Sequence, residues 1–273
     1  MNILIVMYVA LAGFFVLWAT QSVVLVAVGE PLALPLRFAT RRPVLKWTSR
    51  AMVHTQWLII LIGTPLALGI HPVEAFQRAF PTPVPWRNIG IACALMLGST
   101  YATYAFFWIE GWIRFEPQGD QATRRAKLFR RFLPGPLPLA TFEEGVFRGV
   151  LLEQVLRSLP ESQVWTAVAI VLTSAAFASV HFVKPAKGKP VYQAAYGYFL
   201  VGCLFGLAYV VGGRSLWLPI ALHASAVFGI EVLRLYVKFD GPRWLIGFAE
   251  SPQSGLIGSV VVGCVAIALV ALI

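Results

Sequence analysis

The sequence predicts an all-α polytopic membrane protein, with about eight transmembrane helices around a buried Glu/His site. Three observations lead there. Of 273 residues, 58% are hydrophobic and only 12% charged, against about 25% charged in an ordinary soluble domain, and mean hydropathy is +0.75. Apolar runs recur along the whole chain and leave no polar block long enough to fold alone, so a single membrane domain over residues 1–273 is expected. Most of the charges that do enter an apolar run gather in one stretch, 139–157, which reads LATFEEGVFRGVLLEQVLR.

The run at 3–28 is longer than a signal-peptide core, has no charge before it and shows no clear small-residue cleavage site. It is therefore expected to remain as a helix. Further spans are expected at about 52–70, 88–109, 139–157, 163–181, 191–212, 215–237 and 255–273. The motif-bearing core covers about 139–230, and the helices at 3–28, 52–70, 88–109 and 255–273 are peripheral to it. Cytoplasmic loops concentrate Lys and Arg, which gives a test independent of hydropathy. With this division, 17 of the 22 basic residues fall in loops after odd-numbered helices and 4 after even-numbered ones, while Arg148 lies within the fourth helix. The bias supports eight spans and places both termini on the non-cytoplasmic side.

The net charge of +10 is spread over these loops rather than along one helical face, so anionic lipid headgroups are the expected counter-charge and nucleic acid is not. The connection at 110–138 begins acidic, turns basic over 124–131 and ends in LPGPLP. It reads either as a basic amphipathic helix on the anionic leaflet, stopped by Pro134, or as a solvated loop that only fixes topology. Cys93, Cys203 and Cys264 each lie in an apolar run, and their spacing implies neither a metal site nor a disulfide framework. Gly202 and Gly206 form a G-x-x-x-G, read here as helix packing.

An ionisable side chain at the centre of a span costs roughly 2.5–3.5 kcal/mol on insertion scales, so Glu143, Glu144 and Arg148 must meet a partner or a cavity. Glu144 and Arg148 are four apart, share a helix face and can pair. Glu143 is rotated by about 100° from Glu144 and looks elsewhere, desolvated beside a second carboxylate, which is a setting for a general base. The plainer reading makes all three a helix-end salt-bridge cluster. His181 closes the fifth span after TSAAFASVH, just ahead of Lys184, Pro185, Lys187 and Lys189. A histidine there can simply answer the helix dipole, yet the alternating topology brings it to the membrane depth of Glu143. His223 lies about two turns into the seventh span, RSLWLPIALHASAVFG. A single buried histidine more often packs than reacts, but ionisable sites on three helices with few elsewhere point to a shared function.

Taken in order, Glu143-Glu144-x-x-x-Arg148, Phe177-x-x-x-His181 and Leu216-Trp217-x-x-x-x-x-His223 resemble the motifs of the CAAX-prenyl-endopeptidase and bacteriocin-processing (CPBP) family of intramembrane proteases. The resemblance covers about 139–230; before 110 and after 235 the chain is similar only as apolar helices. It implies peptide-bond hydrolysis in a cavity open to the cytoplasmic leaflet, on a membrane protein or lipidated peptide. By the same resemblance, Glu143 is the general base, His181 its partner in activating water and His223 the oxyanion contact.

Many members of that family have Asn four residues after the second histidine, where this chain has Val227. The only asparagines are Asn2 and Asn88, and loss of one oxyanion donor costs on the order of 10²- to 10³-fold in rate. Two other classes therefore stay in view: a non-catalytic scaffold, immunity or partner-binding protein on the same fold, and a small-solute transporter using the same groups as a proton relay, although no inverted repeat is visible. Older names for the family imply a metal. Glu143, Glu144, His181 and His223 are a donor set of the zinc kind, but H-E-x-x-H spacing is absent, and water activation without a metal or other cofactor is expected.

Overall fold

The computed structural model describes residues 2–30, 43–132, 135–182, 191–249 and 251–273. It is almost entirely helical. Helix α1 (Asn2–Ala27) carries no charge along its length, and Leu4, Tyr8, Leu11 and Phe15 point outward, as suits a helix with lipid on most of its circumference. Helix α2 (Pro43–Leu58) continues through a π-helical stretch, Ile59–Gly63, into α3 (Thr64–Ala67). The chain then bends by 109° into α4 (Pro72–Ala79). Gly69, at φ +72°, makes that corner, and His71 caps α4 by accepting the Val73 amide at Nδ1.

Helix α5 (Trp86–Ile109) leads to strand β1 (Ile113–Phe115), which pairs antiparallel with β2 (Val237–Phe239) in the register Arg114 opposite Lys238. This ribbon joins the end of α5 to the end of α11 (Trp217–Leu233). Beneath it Tyr104, Phe107, Ile113 and Ile246 form a buried cluster. After β1 the chain forms α6 (Gln121–Phe132), so the basic connection does contain a helix. Asp120 starts it, accepting the Thr123 amide at 2.6 Å, a side-chain cap on an otherwise orphan donor. Pro134, expected to stop this helix, lies outside the described residues, as do Lys184, Pro185, Lys187 and Lys189.

The stretch 139–157 is not one regular α-helix. Helix α7 (Pro136–Glu144) passes into π-helix over Gly145–Leu152 and then into α8 (Glu153–Ser158). Helices α9 (Gln163–Phe182) and α10 (Val191–Val211) follow. After α11 come the short α12 (Arg243–Ile246), a 3₁₀ turn at Pro252–Ser254, and α13 (Leu256–Leu272).

Among the described residues four helices, α1, α5, α9 and α10, are long and apolar enough to cross a membrane, and the bent α2–α4 pair makes a fifth if it is one span. Fewer segments pass this test than the eight predicted. Helices α11 and α13 have 17 residues each, about 25 Å at 1.5 Å per residue against a hydrocarbon core of about 30 Å. Their ends are drawn into the ribbon and the 3₁₀ turn instead of continuing as helix. The segment over α7 and α8 carries five charges within 143–157, more than a test of length and apolarity admits, so it does not count among these helices.

Helix α11 packs against α5, α7 and α10, and α10 lies closest to α9. A Cβ at Gly202 would fall 3.0 Å from the Ser174 Cβ, and one at Gly206 would fall 2.9 Å from the Ile170 Cγ2. The G-x-x-x-G therefore serves packing within the chain, as its sequence suggested.

Candidate active site

The site forms where the irregular middle helix meets α9, α10 and α11. Arg148 is fully buried, and three interactions on separate elements hold it. Its Nη1 lies 3.1 and 3.0 Å from the two Glu144 carboxylate oxygens, and its Nη2 donates to the Gly202 carbonyl of α10 at 2.8 Å. Its guanidinium sits over the Phe177 ring at 4.7 Å and the Phe205 ring at 5.5 Å, distances at which a desolvated cation gains from the ring quadrupole. The small Gly202 that permits the α9–α10 approach thus also presents the carbonyl that Arg148 needs. The predicted Glu144–Arg148 pair is present.

Glu144 does more than pair. Its Oε1 lies 2.7 Å from Nδ1 of His223 on α11, and since an ionised carboxylate only accepts, Nδ1 donates. That fixes the ring so that Nε2 is the nitrogen left for chemistry. Nε2 in turn lies 3.7 Å from the Glu143 Oε2, too long for a direct hydrogen bond. Phe205 stacks on the His223 ring at 4.8 Å and Phe177 meets it edge-on at 6.2 Å. His223 is thereby clamped between aromatic walls with one carboxylate on each nitrogen side.

His181 is oriented in the same sense from another helix. Its Nδ1 is 2.8 Å from the Phe177 carbonyl, so Nδ1 is again the donor and Nε2 the acceptor of the neutral ring. Tyr198 of α10 stacks on it at 4.2 Å. Glu143, His181, His223 and Val227 all line one cavity of about 1060 Å³. Val227 contributes only an apolar surface at the position where an amide would reach the site. The sequence-predicted residues come together, with one rearrangement: His223 bonds Glu144 rather than standing apart from the Glu144–Arg148 pair.

Four contributors to the site were not foreseen: Tyr198, Phe205, the Gly202 carbonyl and His54. The first three carry no sequence signal, because aromatic residues and glycine inside an apolar helix look like packing. His54, which also lines the cavity and lies against Trp57 and Phe142, was open to notice as one of only four histidines.

As a metal site the cluster fits poorly. Glu144 is engaged by Arg148 and His223, and among the described residues no three His, Cys, Asp or Glu side chains gather as a ligand set.

Helical spans of this apolarity make the protein an integral membrane protein, and its buried carboxylate–histidine cluster faces a cavity. Residues 127–229 match the family model described as type II CAAX prenyl endopeptidase Rce1-like, a match to the CPBP family. The matched segment runs from α6 to the last turns of α11 and holds every residue named above except His54 and Trp57. No curated protein and no solved structure matches the chain.

Proposed function

We propose that this protein is a glutamate-type intramembrane endopeptidase of the CPBP kind: one membrane domain of eight spans, both termini non-cytoplasmic, cleaving a membrane-associated protein or lipidated peptide near the cytoplasmic face. The observation that carries the reading is that Glu143, His181 and His223, from three separate helices, line one cavity with both histidines turned by their Nδ1 partners.

In this mechanism a water lies between Glu143 and the Nε2 of His181. Glu143 takes its proton as the oxygen attacks the scissile carbonyl. The carbonyl oxygen becomes an oxyanion, met by an Nε2–H of His223, whose ring the Glu144 carboxylate holds in place through Nδ1. The C–N bond then breaks and Glu143 returns the proton to the departing amine. The 3.7 Å gap between Glu143 and His223 leaves them near one another without a bond that would consume either group. The step uses no metal, in keeping with the engagement of Glu144 elsewhere. Fixed donors in a low-dielectric cavity are worth more than in water.

Purified protein in liposomes supplied with a membrane-anchored peptide tests the reading. Cleavage is expected from the wild type and from neither Glu143→Ala nor His181→Ala; unchanged cleavage in either variant would refute the assignment. The second reading, a non-catalytic scaffold that binds a partner on the same fold, is favoured by Val227 alone. A Val227→Asn variant separates the two: a gain in cleavage marks a protease short of one donor, and silence in both forms marks the scaffold.

A further inference from the structure

A second pocket, of about 660 Å³, opens at the end of the bundle where the β-ribbon lies. Lys127 of α6, Arg234 at the end of α11, Lys238 of β2 and Arg243 of α12 line it, with Asp240 as the acidic residue among them. Among the described residues, the acidic groups nearby do not cancel this charge. Glu231 pairs with Arg234 at 2.6 Å and Glu116 lies 3.5 Å from Lys238. Asp240 is itself taken by Arg114 at 2.9 Å, a residue that also meets Glu116 at 3.4 Å. Counting every group named, five cations face three anions, and those anions are already shared.

Two further features describe what would sit there. Phe115, Phe129 and Trp244, on β1, α6 and α12, are exposed to 68, 66 and 66%. Large aromatic side chains left outside a membrane protein beside a basic cluster are the composition of the headgroup region, where amphipathic rings anchor and Lys and Arg meet lipid phosphate. The pocket is also not separate from the reaction cavity, because Arg234 and Phe248 line both.

We infer that this pocket is a seat for the phosphate headgroup of an anionic phospholipid, placed against the wall of the reaction cavity. The phosphate lies among Lys127, Lys238 and Arg243 and approaches Arg234, and the aromatic side chains hold the adjoining acyl–headgroup boundary. The site is independent of the proteolytic reading, since it needs only the ribbon, α6, α12 and the end of α11.

The test is lipid binding by the full-length protein, read by native mass spectrometry from detergent micelles containing phosphatidylglycerol and phosphatidylcholine. One phosphatidylglycerol is expected to be retained per chain in preference to phosphatidylcholine. The double variant Lys238→Gln/Arg243→Gln is expected to weaken that retention about tenfold or more, since each basic residue near an anionic surface contributes roughly fivefold. The charge-matched double variant Arg78→Gln/Arg87→Gln, at α4 and the start of α5, is expected to leave it within about twofold of wild type, scaled from that same per-charge figure. Equal losses in the two double variants would reduce the effect to diffuse attraction and overturn the site, as would no loss in either. Displacement of the lipid by equimolar glycerol 3-phosphate would show a free-phosphate site and refute the lipid assignment. Should Lys238→Gln/Arg243→Gln fold poorly, Lys127→Gln alone must weaken retention and Lys238→Arg/Arg243→Lys must preserve it, or the proposal fails.

Discussion

Glu143 and Glu153 flank the two ends of the π-helical stretch in the same irregular helix, and both are buried. Their surroundings differ. The Tyr209 hydroxyl donates to the Glu153 Oε2 at 3.0 Å and Arg157 Nε to its Oε1 at 2.7 Å, with Arg214 a further 3.9 Å contact. That carboxylate is enclosed by donors from α8, α10 and the following turn. Glu143 instead faces the reaction cavity, with the nearest His223 nitrogen at 3.7 Å. Buried charge alone therefore does not mark a reactive group; a buried carboxylate becomes one where its neighbours stop short of satisfying it and a cavity admits the substrate.

The contrast can be broken by experiment. Glu143→Gln keeps shape and removes the base, so peptide cleavage in liposomes is expected to fall by about 10²- to 10⁴-fold with the melting temperature close to wild type. Arg148→Met tests the enclosed partner of the same cluster: truncating one member of a buried pair leaves Glu144 uncompensated and is expected to cost about 3–5 kcal/mol in denaturant unfolding. Val227→Asn is expected to raise cleavage by up to about 10²-fold, on the scale of one oxyanion donor, with little change in substrate KM. Glu153→Gln is expected to lower stability by about 1–3 kcal/mol while turnover per folded molecule stays the same; a turnover loss matching that of Glu143→Gln would erase the distinction between the two ends.

The smallest effect concerns the basic helix. Hydrogen bonds from the Thr123 backbone and hydroxyl, and the nearby Arg124 charge, hold Asp120 below the usual carboxylate range. A depressed folded value means that the cap's contribution is present above the ordinary aspartate value of about 3.9 and is lost as pH falls through the lower folded one. The protection of the α6 amides, relative to their intrinsic exchange rates, is therefore expected to fall only below about pH 4, and Asp120→Ala to remove that dependence.

What the sequence could convey followed from local spacing. Glu144 and Arg148 sit one helical turn apart, Val227 one turn beyond His223, and Gly202 one turn before Gly206, and each relation survives in the structure. The His223–Glu144 bond joins residues 79 apart in the chain, and the Arg148–Gly202 bond joins residues 54 apart; no periodicity reports either. The π-helical stretch at Gly145–Leu152, which holds the buried Arg148, was invisible for another reason: an apolar run gives the same signal whether its turns are α or π. The span at 215–237 overran because apolar content continues past the end of α11 at Leu233 into the turn and the first residue of the ribbon, whereas the span at 255–273 matches α13 to within one residue at each end.

The most direct measurement of the central claim compares the membrane peptides of cells carrying the wild type with those of cells carrying Glu143→Gln, by mass spectrometry of newly formed peptide ends. A defined set of membrane-associated substrates is expected to appear cleaved with the wild type and intact with the variant, at equal protein abundance. Identical peptide ends in the two samples would contradict the assignment of Glu143 as the base that activates water.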